Sequence, residues 1–335
     1  MKLFLSTIVA VLRVSVAVLI VYAAIVIAAS IVPFGGQPMI QRLLPLQKPG
    51  GPSHSLVRFR EASAKGPVDI VFVGSSHTYR GFDPRLFSAM GYSSQNLGSS
   101  SQTPLNSLAV LKRHLENLHP KLVVYEVYQT AMTIDGMESY YDLLSNTPLD
   151  YSMLEMTWNM HQPPAWTALL ATGVRNLRTP FSQHVQLGQD GRDDLYIPGG
   201  YVQTRAVMPD DRLNRLRGGR PPLKYSMHAR QFQFLGECID LARKHGAIFV
   251  ACSYPVPVET RRDLHGFESK QLQIGEFFQA KDTPFHDFNV DMNLDTAQHF
   301  FDEVHLNQAG VELFNASLID WLRLEKLLPP PSQSH

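Results

Sequence analysis

The stretch VDIVFVGSSHTYRGFDP, residues 68–84, decides the fold. Val68–Val73 is a short, nearly unbroken apolar run, the pattern of a strand buried on both faces. Gly74-Ser75-Ser76 then turns the chain, and FDPRLFSAM (82–90) reads as a short helix. Strand, tight turn and helix in that order present a serine hydroxyl at the carboxyl end of a buried strand. Working outward, YSSQNLG (92–98) is a second strand. TPLNSLAVLKRHLENL (103–118) is an amphipathic helix with Leu105, Leu108, Leu111 and Leu115 on one face and a proline in its first turn. KLVVYEVY (121–128) is a third strand, RQFQFLGECIDLARKHG (230–246) a glycine-terminated helix, AIFVACSYPV (247–256) a fourth strand and PFHDFNV (284–290) a short fifth. A last helix is expected over 308–326. This alternation predicts an α/β three-layer sandwich around a central parallel five-stranded sheet, with ligands gathered at the strands' carboxyl ends.

The segment FFDEVHLNQAG (300–310) supplies the complement to the serine turn, with Asp302 and His305 three residues apart. A hydroxyl, an imidazole and an orienting carboxylate are the parts that make a serine a covalent catalyst. The alternative for a lone Asp-x-x-His pair is a surface turn capping a helix.

Composition sets the surroundings. The chain has 335 residues, 44% of them hydrophobic, and thirty basic residues balance thirty acidic ones. No global field therefore draws nucleic acid, and no nucleic-acid partner is expected. Residues 14–33, within VSVAVLIVYAAIVIAASIVP, are apolar and long enough to cross a bilayer. Lys2 and Arg13 precede them, so the positive-inside tendency leaves 1–13 cytoplasmic and the rest outside. A cleaved signal peptide competes, with Ala28 and Ser30 at the small-residue spacing, but the run exceeds the usual signal core of about 7–15 residues. A single-pass anchor in the lipid bilayer is the expectation.

Residues 34–66, rich in Pro and Gly, read as a stalk with one short helix. Residues 129–228 interrupt the strand–helix rhythm and are expected to form a mostly helical insertion over the active-site edge of a catalytic domain spanning 67–326. Its aromatics Tyr140, Tyr141, Tyr151, Trp158 and Trp166 suit internal packing, with stacking on sugar rings as the alternative. Its basic run RLNRLRGGR (212–220) suits a solvated loop. The tail 327–335 is expected to be disordered. Cys238 and Cys252, the two cysteines, either pair or remain separate buried thiols.

Several chemistries find no support. DMNLD (291–295) begins like a calcium loop, but Thr296 stands where glycine is needed. No zinc-type histidine spacing and no phosphate-binding glycine loop follow a strand. Neither metal nor cofactor is expected. His77, Tyr79 and Arg80 follow the serine and are candidate substrate-binding residues; Arg80 either grips an anionic acceptor or ties the turn to Asp83.

Gly-Ser-Ser after the first strand, Asn-Leu-Gly after the second and Asp-x-x-His-Leu-Asn before the last helix resemble the SGNH (GDSL-type) hydrolase superfamily. GSSHTYRGFDP, the amino-terminal anchor and the long insertion are similar to its membrane-anchored envelope branch, which includes teichoic-acid D-alanylation proteins and alginate-type polysaccharide O-acetyltransferases. The resemblance covers residues 68–128 and 230–323. It implies a flavodoxin-like fold, Ser76 as nucleophile, His305 as general base and Asp302 as its orienting carboxylate. It further implies an oxyanion hole from the backbone N–H groups of Ser76 and Gly98. The family's third donor, an asparagine after the third strand, is replaced here by YEVYQTAM, where Gln129 or Thr130 are the substitutes on offer. The activity implied is O-acyl transfer, commonly acetyl, to an envelope polysaccharide, with the acyl group delivered by a polytopic membrane acyltransferase. The alternatives are a carbohydrate esterase and a non-catalytic carbohydrate-binding or assembly protein.

Overall fold

The computed structural model describes residues 2–46, 49–51, 53–186 and 194–330. Helix α1 spans Lys2–Ile31 and α2 Ser55–Ala64. Strand β1, Ile70–Val73, runs into α3, Ser76–Gly81. Then follow β2 (Ser94–Asn96), α4 (Pro104–Leu118) and β3 (Leu122–Glu126). The insertion contributes α5 (Met137–Asn146), α6 (Tyr151–Met160), α7 (Pro163–Arg178), a hairpin of Leu195–Ile197 with Tyr201–Gln203, and α8 (Asp210–Gly218). The chain returns through α9 (Ala229–Lys244), β4 (Ile248–Ser253), α10 (Phe267–Ala280), β5 (Phe285–Asp287) and α11 (Gln308–Leu324).

The five strands form one parallel sheet in the order β2-β1-β3-β4-β5. This is the doubly wound flavodoxin-type order, whose reversal lies beside β1, so the serine turn sits at the topological switch point. β1 and β3 are buried along their whole length because helices cover both faces. One face packs on α2, α4, α9 and the insertion helices through Val71, Val73, Leu111, Tyr125 and Ile239. The other packs on α11 and the turn after β1 through Phe72, Phe82, Val250, Phe314 and Leu318.

Several expectations change, among them the basic run 212–220, which lies largely in the helix α8 and not in a loop. The stalk is shorter than 34–66, because α2 belongs to the domain. Arg58 on α2 is fully buried, and its guanidinium donates to the carbonyls of Ser53, Gly98 and Gly200 and lies 4.2 Å from the Tyr79 ring centre. A basic residue in a Pro/Gly-rich stretch gives no local sign that it will fill a core socket. The apolar helix expected over 14–33 starts at Lys2, and its carboxyl third, from Ala23 to Ser30, turns one face onto α7. The insertion is mostly helical, but α6 packs on α4, α5 on α2, and α7 carries α1 on its outer side. The hairpin and Asp194 just before it meet the helix after the serine turn, and α5 reaches the loop after β2 through Ser139 and Asp142. Tyr140 and Tyr141 pack internally, whereas Tyr151, Trp158 and Trp166 are exposed. Cys238 and Cys252 are both buried and unpaired. Of the expected tail, residues 331–335 lie outside the described residues.

Candidate active site

The turn after β1 is shaped by close backbone contacts. Gly74 has φ +151°, and a Cβ there would lie 2.6 Å from Thr78 Oγ1 and 2.7 Å from the Glu126 carbonyl. No side chain fits. Gly98, at the end of β2, is equally tight: a Cβ would come within 2.8 Å of the Ser75 carbonyl and of Thr78 Cβ. Ser75 caps α3, its Oγ accepting from the His77 N–H at 3.3 Å. Every residue from Val71 to Arg80 is buried except Ser76, which is partly open. The turn thus hides its neighbours and offers one hydroxyl.

Ser76 Oγ lies 2.7 Å from His305 Nε2, across 229 residues of chain. His305 Nδ1 lies 2.8 Å from Asp302 Oδ2. Asp302 Oδ1 accepts from the backbone N–H groups of Val304 and His305, which locks the carboxylate in a tight turn. Burial by itself would raise the Asp302 pKa, but hydrogen bonding to His305 and these backbone donors hold it well below the ordinary carboxylate value. For His305, burial dominates and lowers the pKa below 6.5, against the opposing pull of Asp302; His77 and Arg80 add to the lowering. The imidazole is therefore neutral, with a free acceptor at Nε2, at neutral pH and somewhat below. Among the described residues, the N–H groups of Ser76 and Gly98 have no protein acceptor.

Around this line sits a layer that sequence reading missed. Glu126, the last residue of β3, is 2% exposed. Its Oε2 accepts from the Ser75 N–H and Ser75 Oγ, both at 2.8 Å, and its Oε1 lies 3.1 Å from His77 Nδ1. One carboxylate therefore holds the two residues that flank Ser76. The signal was present: a charged residue in the otherwise apolar run KLVVYEVY must find partners when the strand is buried on both faces. The His77 ring stacks on Tyr254 at 4.5 Å and meets the His305 ring edge-on at 5.2 Å. Phe301 stacks on the other imidazole contact surface, 5.5 Å from His305.

The residues following Ser76 are built into this scaffold. His77 and Tyr79 are buried, the former on Glu126 and the latter beneath Arg58. Arg80 does not tie the turn to Asp83. Asp83 is held by Arg85, while Arg80 makes a two-pronged pair with Asp194 at 2.8 and 3.3 Å and lies 5.1 Å from the Phe301 ring centre. Neither partner of the Arg80–Asp194 pair exceeds 5% side-chain exposure. Breaking such a pair strands a buried charge, so Asp194→Ala is expected to lower the unfolding free energy by about 3–5 kcal/mol in urea titrations; a change below about 1 kcal/mol would contradict this reading. Gln129, one of the two side chains expected to supply a third oxyanion donor, is committed elsewhere. Its amide donates to the Phe267 carbonyl and accepts from the Tyr225 hydroxyl, which uses the side chain to fasten the loop after β3 to α10.

Comparison with known proteins adds a likeness of shape. No protein-family model and no curated protein matches the chain. Among solved structures it is similar to a GDSL-like lipase from Bacteroides thetaiotaomicron VPI-5482, with 15% identity and a TM-score of 0.41 over 82% of this chain and 98% of that one. It is also similar to a lipase/acylhydrolase from Enterococcus faecalis, with 13% identity and a TM-score of 0.42 over 80% of this chain and 100% of that one. At such identities the chemistry must be argued from the site.

Proposed function

We propose that this chain is a membrane-anchored, extracytoplasmic serine acyl-transfer enzyme, an O-acyl and most simply an O-acetyl transferase acting on an envelope polysaccharide or related polymer. The observation that carries the chemistry is the continuous line from Ser76 Oγ through His305 to Asp302. Ser76 Oγ attacks the carbonyl of an ester or thioester as its proton passes to His305 Nε2. Asp302 keeps Nδ1 protonated and stabilises the imidazolium. The Ser76 and Gly98 N–H groups receive the oxyanion. His305 then protonates the leaving group, and the acyl-serine is relieved by a second hydroxyl that His305 deprotonates in turn. A sugar hydroxyl makes the enzyme a transferase; water makes it an esterase.

The anchored reading is supported by α1, of which Phe4–Ile31 is long and apolar enough to cross a bilayer. An anchored transferase of this kind receives its acyl group from a polytopic membrane acyltransferase partner. The intact Ser–His–Asp line argues against a purely carbohydrate-binding role, which would leave its burial and hydrogen bonding without purpose.

The test offers a chromogenic acetyl ester to the full chain in detergent micelles, with and without an oligosaccharide acceptor. Acetyl appearing on the sugar supports the transferase; hydrolysis indifferent to sugar selects the esterase. Failure of Ser76 to react with a serine-directed phosphonate would sink both. The same assay reads the base. With the pKa of His305 lowered, kcat/KM should hold as pH falls through 6.5 and decline only below it. An acid limb centred above about 7 would show that Asp302 outweighs burial.

A further inference from the structure

We infer that the catalytic end of the domain faces the bilayer, with the α6–α7 turn and the basic segment 205–224, which includes α8, seated on an anionic phospholipid surface. This rests on the reading of α1 as a membrane span and goes beyond it by fixing which face of the domain the span presents to lipid.

The direction follows from a chain of contacts. α4 starts beside the serine turn, at the carboxyl end of the sheet, and descends to the start of β3. α6 runs antiparallel to it, since Asn106 near the top of α4 bonds Met156 Sδ while Arg113 near the bottom pairs with Asp150. The end of α6 therefore returns to the catalytic end. There Arg230, in the first turn of α9, donates to the Asn159 carbonyl. α7 descends again, with the Ala165 carbonyl bonded to Tyr140 and Arg175 to the Leu144 carbonyl lower on α5.

α1 lies parallel to α7. The Tyr22 hydroxyl meets Thr167, Val26 packs with Ala171, and Ser30 lines a cavity with Arg175. Residue 31 is thus the low end of α1, and going back toward residue 4 the helix rises past the catalytic end and leaves the domain. Its residues from Phe4 to Tyr22 are exposed throughout. At 1.5 Å per residue that free stretch is ~28 Å long, close to the thickness of a hydrocarbon core. A domain hung from this helix presents its strand carboxyl ends, and Ser76 with them, to the membrane.

Two surfaces at that end suit lipid. Trp158 and Trp166 at the α6–α7 turn are 68% and 38% exposed and meet edge to face at 6.2 Å, with Pro163 and Pro164 exposed beside them. Tyr22 stands at the same level through Thr167, so three aromatic side chains ring the point where α1 leaves the domain. Tryptophan and tyrosine collect where hydrocarbon meets headgroup. On the opposite side of the mouth, Met208 donates to the Phe300 carbonyl and Arg212 pairs with Glu303, which places the segment beside the His305 turn. Arg215 and Arg217 have carboxylate partners, whereas Arg205, Arg220 and Lys224 are exposed and carry no ion pair among the described residues. Cations in that position are attracted to an anionic leaflet. Arg13 falls within this free stretch and not before it, as the sequence alone had suggested, so Lys2 is the basic residue on the amino side of the span. The acyl group handled by Ser76 would then be one presented at the membrane surface.

The three tryptophans permit a direct test, because Trp321 lies low on α11, away from the proposed contact. The full chain is reconstituted in vesicles of mixed zwitterionic and anionic phospholipid brominated near the headgroup, and flotation is measured before fluorescence. Flotation with emission quenched by roughly half or more in the unsubstituted chain is expected. The quenching should persist in Trp321→Phe and vanish in Trp158→Phe/Trp166→Phe. A chain that floats with Trp158 and Trp166 unquenched overturns this inference and leaves the anchor standing. A chain that does not float overturns the anchor and this inference together.

Discussion

Ser76→Ala is expected to abolish acyl transfer, lowering kcat by at least ~10⁴-fold while leaving the fold and any substrate binding nearly unchanged. The hydroxyl is the only atom removed, and the surrounding turn is held by contacts that do not involve it. Ser75 is bonded to Glu126, Gly74 is wedged between Thr78 and Glu126, and Gly98 covers the turn from β2. A circular dichroism melt should therefore superimpose on that of the unsubstituted chain. His305→Ala should lose activity to a similar degree, and the double variant should lose little more, because nucleophile and base act as one unit. Additive losses, or a Ser76→Ala protein that still turns over an acetyl ester at an undiminished rate, would remove Ser76 from the mechanism. Ser75, one residue away, is not an alternative: its hydroxyl is buried and committed to Glu126.

Glu126→Ala is expected to be the most damaging substitution outside the Ser76–His305–Asp302 line. Deleting the carboxylate leaves the Ser75 N–H, the Ser75 hydroxyl and His77 Nδ1 without their partner in a site shut to water. The loss should be about 3–5 kcal/mol of stability, on the scale of breaking a buried charged network. Because those residues flank Ser76, its aim is loosened as well, and a misplacement of about 1 Å suffices for a ~10²-fold fall in kcat. Glu126→Gln should be milder. One amide oxygen can keep both bonds from Ser75, and His77 can meet the amide nitrogen by changing tautomer. The expected order in urea melts and in kcat is thus wild type, then Gln, then Ala. An alanine variant as stable and active as the parent would reduce Glu126 to a bystander.

The parts of this architecture that were legible in the chain share one property. VDIVFVG, KLVVYEVY and AIFVACS are strands buried on both faces, and the helices between them carry apolar residues at helical spacing, so element type and order follow from neighbours along the chain. Parallel strands joined by helices then leave few topologies, since the crossovers are right-handed. Asp302 and His305 were legible for the same reason, being three residues apart in one turn. What escaped was partner choice at long range. Arg80 selected Asp194, 114 residues away, over the adjacent Asp83, and Gln129 was taken by Phe267 and Tyr225. Arg58 looked like stalk and became a buried clamp on Gly98 and Gly200.

By itself, then, the sequence determined a parallel α/β sheet, a serine exposed on the turn after its first strand and an apolar helix long enough to cross a bilayer. Each is set by local periodicity or by the steric demands of a glycine turn. The tertiary structure brought Ser76 Oγ to 2.7 Å from His305 Nε2 across 229 residues, a pairing the resemblance had implied, and it alone decided that Glu126 organises the turn and that α1 packs along α7. A side chain's partner is set by which elements pack together, and that packing is a property of the whole core rather than of any stretch within it.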